Sequence, residues 1–198
     1  MVTPGTYTVE IVKQVDGEVT TLTEPEAFEI NALELAAFSA EDKAEVLAFN
    51  KKVARLQRAV QGTSRAAGEV SNRIAHLRKA VIETPAADES LVKVVEDLRL
   101  RLNEIQRKRS GDRTLSRLSE PATPSISQRM SSIVGGWYVT SPPTQTHRDQ
   151  YRYAGEEFSE VWEALRKLME DDLKDLEDRL EALGAPWTPG RLPKWDIE

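Results

Sequence analysis

The sequence predicts a mainly α protein: an antiparallel bundle of long, coiled-coil-like helices preceded by an N-terminal β-hairpin. Three observations predict it. Apolar residues recur every seven positions from Val46 to Val81, a second apolar series runs from Tyr151 to Leu183, and residues 6–11 alternate polar with apolar ahead of an Asp-Gly pair. The first two patterns have the period of a helix and the third that of a strand.

In PGTYTVEIVKQVDGEVTT, residues 4–21, Tyr7, Val9 and Ile11 alternate with Thr6, Thr8 and Glu10, as in a strand with one buried face. Asp16-Gly17 supplies two residues that tolerate positive φ in a type I′ turn, Val19 to Leu22 begin the return strand, and Phe28 and Ile30 extend it. Two strands bury too little surface to stand alone in water. Residues 1–33 are therefore read as a hairpin whose apolar face needs a partner sheet.

Residues 39–184 are read as the bundle. Ser39 and Asp42 resemble a capping box, and Val46, Val53, Val60, Ala67, Ile74 and Val81 then form a heptad seam with Phe49, Leu56, Thr63, Val70 and Leu77 three positions after each. This predicts a helix over 41–83, with a bend or thin packing layer at Gly62, Thr63 and Gly68 and a stop at Thr84-Pro85. Asp88 is the expected N-cap of a helix over 88–109 on Leu91, Val95, Leu98, Leu102 and Ile105. Residues 110–123, rich in Ser, Gly and Arg without period, read as a linker. Thr123-Pro124 reads as an N-cap followed by proline, starting a helix over 124–139 on Ile126, Met130, Ile133 and Trp137. The last helix is predicted over 145–183 and, despite the eight-residue step from Leu165 to Leu173, nearly straight. Gly184 with Pro186 stops it. The tail, residues 185–198, is too rich in proline for a helix and is expected to fold its Trp187 and Trp195 back onto the bundle.

Composition narrows the chemistry. At 39% hydrophobic and 30% charged residues, the chain belongs with globular or bundle proteins rather than disordered ones. No apolar run approaches the roughly 20 residues that cross a bilayer, and MVTPGTYTVE has neither a basic start nor an apolar stretch, so neither membrane insertion nor an export signal is expected here. The absence of cysteine excludes disulfides, thiolate nucleophiles and cysteine-ligated metals and leaves the compartment undecided. A net charge of −6 argues against a nucleic-acid partner, and two distant histidines, His76 and His147, argue against a histidine-rich metal site. No cofactor is expected.

The sharper motifs each have a plainer explanation. Glu170-Asp171-Asp172 could suggest a metal, but neighbouring residues on a helix diverge, and a solvated face explains them. Arg107-Lys108-Arg109 sits where cations favour a helix C-terminus. Its excess with Arg99 and Arg101, against the acids of the last helix from Glu156 to Asp178, favours placing these two helices side by side. Gly135-Gly136 lacks the context of a phosphate loop. His147 falls in a first helical turn with a surface or capping role, and His76 at the bundle edge. Trp137, Tyr138 and Trp162 could form a sugar-stacking platform, but tryptophans at helical spacing on an apolar stripe read as core. No residue is assigned to catalysis, metal or cofactor binding.

The PGTYTV…DGE hairpin, the heptad helix, PSISQRMSSIVGGWYVTSPPTQTHRDQY at 124–151 and DLKDLEDRLEALGAPWTPGRLPKW at 172–195 together resemble one group of proteins. They are similar to the C-terminal region of large bacterial proteins of the sortilin-like, BNR-repeat β-propeller group, often labelled glycosyl hydrolases. The resemblance implies that the hairpin is the remnant of an immunoglobulin-like sandwich lying between propellers and helices. It also implies that the parent is exported. The Asp-box phrases of propeller repeats, S-x-D-x-G-x-x-W, do not occur here, so the glycosidase label has no residues in this chain to rest on.

Three roles follow as expectations. The first is a non-catalytic structural or protein-interaction module whose partners are upstream domains of a parent protein or another chain. The second is an accessory part of a carbohydrate-binding or glycoside-hydrolase site completed by upstream propellers, with Trp137, Tyr138, Trp187 and Trp195 as contacts to sugar or partner. The third is a stand-alone homo-oligomer, since the seam of residues 46–81 exceeds what the shorter second helix covers.

Overall fold

The computed structural model describes residues 4–31, 40–135 and 141–189 of the chain. It divides into two compact units, residues 1–50 with 139–143 and residues 51–138 with 144–198. The chain is mainly helical, with long helices and a small antiparallel hairpin at the N-terminus.

The hairpin has four short strands. Strand β1 (Gly5–Val9) pairs with β4 (Glu26–Ile30), Tyr7 opposite Phe28, and β2 (Val12–Val15) pairs with β3 (Glu18–Thr21), Val12 opposite Thr21. Asp16 at φ 52° and Gly17 at φ 87° make the two-residue turn with both residues in the left-handed region, as a type I′ hairpin requires. Residues 10–11 on one side face residues 22–25 on the other, and this offset splits the ladder in two. Leu22 N–H still donates to the Ile11 carbonyl at 2.8 Å across the gap.

Helix α1 (Ala40–Glu83) runs unbroken through Gly62 and Gly68. Its seam is buried at Val53, Val60, Thr63, Ala67, Val70, Ile74, Leu77 and Val81. A Cβ added at Gly68 meets nothing within 4 Å. Gly68→Ala is therefore expected to raise stability by about 0.5–1 kcal/mol, read as a rise of roughly 1–4 °C in thermal unfolding followed by circular dichroism.

Thr84 closes α1 by donating its hydroxyl to the Ala80 carbonyl at 2.7 Å. Helix α2 (Glu89–Ser110) then starts at Asp88, whose carboxylate accepts from the backbone amides of Ser90 and Leu91. The Ser90 hydroxyl and these amides hold the Asp88 carboxyl below its ordinary value of 3.8. A pKa lowered by folding contributes stability that is complete above the unfolded value and lost as pH falls through the folded one. Asp88→Asn keeps the cap but cannot titrate. Its loss of stability between pH 5 and pH 3, about two pH units spanning the unfolded carboxylate value, is expected to be smaller than that of the parent chain in urea unfolding.

The stretch predicted as a bare linker contains a short helix, α3 (Arg113–Arg117), capped by Asp112. Asp112 also pairs with Arg107 at 3.1 Å. Helix α4 (Ile126–Val134) starts two residues later than predicted. Its N-cap is Ser125 rather than Thr123, because Ser125 and Gln128 form a capping box, each satisfying the other's backbone amide. Helix α4 ends at Val134 with Gly135 as its C-cap, short of the predicted 139; residues 136–140 lie outside the described residues, as does the Ser39 cap of α1.

Helix α5 (Gln145–Lys167), capped by Thr144 through the His147 amide, passes into a π-helical turn, Leu168–Asp172, and then α6 (Leu173–Ala182). The helix predicted as a nearly straight span is thus interrupted. Gly184, at φ 70°, ends it: its N–H donates to the Glu181 carbonyl and that of Ala185 to the Leu180 carbonyl, a Schellman motif.

Within the bundle, Arg73 of α1 meets Glu177 of α6 and Leu77 lies beside Leu180, while Ala59 to Ala66 lie beside Phe158 to Glu170. Residue numbers rise together, so α1 and the α5–α6 run are parallel. Helix α2 lies against the α5–α6 run in the opposite direction, with Arg101 on Asp172 and Lys108 on Glu160. Each consecutive long helix is therefore antiparallel to the one before. Helix α4 packs on α5 and α2 and covers the part of α5 beyond the end of α2. The core is the shared seam: Leu91, Val95, Leu98 and Leu102 of α2, Ile126, Met130 and Ile133 of α4, and Val161, Leu165, Leu168, Leu173, Leu176 and Leu180.

Candidate interaction surfaces

The four aromatic residues predicted to touch sugar or partner are not brought together in the described residues. Trp137, Tyr138 and Trp195 lie outside them. Trp187 follows the Schellman turn in the stretch that returns beside Leu77 and Leu180, and it is 43% exposed there. The buried place there belongs to Thr188, one residue on. Its hydroxyl, like Nε of Arg109, is enclosed without a hydrogen-bond partner among the described residues.

Trp162, read from the sequence as core, is 47% exposed. It follows Val161, which is buried, and adjacent helical positions are about 100° apart, so only one of the two can face the seam. The indole instead forms one wall of a groove between α1 and α5. Ala59, Gly62 and Ala66 make the α1 side, and Phe158 and Trp162 of α5 with Met169 of the π-helical turn make the other, enclosing about 690 Å³. The Arg166 guanidinium lies 5.7 Å from the indole centroid and pairs with Glu163 and Glu170 on the same rim. The groove is apolar at its floor because the α1 side carries almost no side chain. The sequence signal was there in the three-and-four spacing of Ala59, Gly62 and Ala66 beside the seam.

Three ionic clusters join the helices. Arg129 of α4, its side chain only 10% exposed, donates to both oxygens of Glu157 and to Gln150 of α5 and stacks 5.3 Å from the Tyr153 centroid. Glu177 of α6 is buried and accepts from Arg73 Nε and Nη2 at 3.2 and 2.8 Å. Arg101 of α2 bonds Asp172 in the π-helical turn and lies 3.5 Å from Asp97. Desolvation works against its charge, and the two carboxylates outweigh that and raise its pKa. Asp172 is thus tied down, while Glu170 and Asp171 face solvent. All three clusters are paired and lie between helices, which suits positioning rather than proton transfer.

The hairpin presents a different surface. Val9, Ile11, Val12, Val15, Val19, Leu22 and Phe28 are between 45 and 59% exposed. The Tyr7 and Phe28 rings stand 6.1 Å apart across the β1–β4 ladder. Among the described residues no third strand pairs with either sheet.

Among the described residues no three His, Asp or Glu side chains converge to hold a metal ion, and no helix is long and apolar enough to cross a membrane. Comparison of the chain with protein-family profiles, with curated proteins and with solved structures finds no match.

Proposed function

We propose that this chain is a non-catalytic structural or protein-interaction module, the C-terminal part of an exported β-propeller protein. The observation that carries the reading is the contrast between its parts. The helices enclose a continuous apolar core, while seven apolar hairpin residues stand in solvent with both sheet edges unpaired among the described residues. Exposed apolar strands with open edges are a liability that a folded chain normally covers. The remaining strands of an immunoglobulin-like sandwich, supplied upstream, would cover them. Glu163, Glu170 and Asp172, which line clefts among the described residues, are each paired with an arginine, and this pairing supports a scaffold.

The test is the size of the native polypeptide, detected in fractionated source cells with an antibody raised against this chain. The expected band lies well above 22.2 kDa in an exported fraction. A band at 22.2 kDa in the cytoplasm would overturn the reading and favour a stand-alone oligomer. The half-exposed Trp187 favours a second reading, contact with sugar in a site that the propellers complete. On that reading Trp187→Ala weakens glycan binding by the full-length protein and leaves its melting temperature unchanged.

A further inference from the structure

The groove between α1 and α5 has a charged approach that its own helices do not use. Lys52, Arg55, Ala59, Gly62 and Ala66 succeed one another at spacings of three and four, so they share one face of α1. Lys51, Arg58 and Arg65 flank that face, and no acidic residue occurs between Val46 and Gly68. All five cations are exposed, and none makes an ion pair among the described residues. Several other surface cations of the bundle are matched three or four residues away, as in Lys79–Glu83, Lys93–Glu89, Arg99–Glu96 and Lys174–Asp178. In a chain of net charge −6, this stretch of α1 carries five cations and no acid.

We propose that the groove receives an amphipathic α-helix of a partner protein, its apolar face against Trp162 and Phe158 and its carboxylates along the edge that meets Lys52, Arg55 and Arg58. The small side chains of Ala59, Gly62 and Ala66 admit a helix closely, and a Cβ added at Gly62 meets nothing within 4 Å. Aromatic and methionine walls are the usual lining of helix-binding grooves. The charge asymmetry sets orientation and encounter rate more than affinity. A helix suits the site better than a phosphate backbone, because Glu163 and Glu170 line the opposite rim and would repel a polyanion. The proposal rests on the bundle being a presented surface. Its failure while the native polypeptide still runs above 22.2 kDa would remove only the groove's role.

A displayed library of amphipathic helical peptides, with leucine and alanine fixed on one face and Glu, Gln and Lys varied elsewhere, is selected on the full chain at physiological ionic strength. Enriched peptides are expected to carry an excess of Glu along one edge. They are expected to bind the double variant Arg55→Glu, Arg58→Glu, and separately Gly62→Phe, about tenfold or more weakly, the size of one or two lost contacts. Both substitutions are on exposed helix positions, and unchanged circular dichroism and melting temperature verify that the fold is kept. Absence of enrichment, enrichment without acidic bias, or equal binding to both variants overturns the proposal. Stronger binding of a DNA duplex, lost in the arginine variant and kept in Gly62→Phe, overturns it in favour of a polyanion.

Discussion

Deleting Glu170 is expected to leave the protein folded with a melting temperature at or above that of the parent chain, whereas deleting Ser71 abolishes cooperative unfolding. Both residues are exposed helix positions, so lost contacts cannot separate them. Register does. Buried apolar residues after Val161 fall at Leu165, Leu168, Leu173, Leu176 and Leu180, spacings of three and four except for the five from Leu168 to Leu173. An α-helix returns to the same face after three or four residues, and five would carry Leu173 off the seam. The π-helical turn, closed by the Leu173 amide on the Leu168 carbonyl, absorbs the extra residue in one wide turn. With Glu170 removed, Leu168 and Leu173 stand four apart and a regular α-helix serves.

No such slack exists near Ser71. Its deletion turns everything beyond it by about 100° relative to the preceding seam. Ile74, Leu77, Ala80 and Val81, all at most 4% exposed, would leave the core. At about 2–5 kcal/mol for each large residue displaced, the loss exceeds the roughly 5–15 kcal/mol that holds an ordinary domain together. Thermal melts of the two variants decide the point. If both deletions unfold the chain, the π-helical turn is required for something other than register.

That turn also marks where the sequence was legible and where it was not. Repetition was legible: the seams of α1 and α2, the proline stop after Thr84, the Asp88 cap and the Asp-Gly turn all follow from local chemistry. The long step from Leu165 to Leu173 was visible as well, but a gap in period has two solutions, drift in a straight helix or one wide turn. Only packing of Leu168, Leu173 and Leu176 against one core selects the second. Similarly, Thr123-Pro124 and Ser125 both carry start signals, and the reciprocal Gln128 bond decides between them. The candidate site was less legible still. An apolar residue beside a seam counts toward the core, so the sequence reads Trp162 as buried, although Val161 takes the inward direction. Arg129 and Glu177 read as solvated in the sequence, as charged side chains ordinarily do. Burial of either depends on a partner from a helix distant in sequence.

The same buried carboxylate gives the second large effect. Arg73→Leu is expected to cost about 3 kcal/mol, the lower end of the cost of breaking a buried pair, and to lower the melting temperature by roughly 6–12 °C. Glu177→Leu is expected to cost under about 1 kcal/mol, and the double variant no more than Glu177→Leu alone. The asymmetry follows from burial. The Glu177 side chain is 8% exposed and cannot recover water when Arg73 is gone, whereas Arg73, at 33%, can swing its guanidinium outward when Glu177 is gone. Glu177 sits between Leu176 and Leu180 on a helix whose seam is otherwise apolar, so leucine there extends a surface already present. Urea unfolding of the four chains in a double-mutant cycle measures the coupling directly. Equal losses for the two single variants would mean that the pair is no more than a surface contact. The expected order instead assigns the pair to alignment of α1 on α6, an orientation that an apolar contact at the same place does not specify.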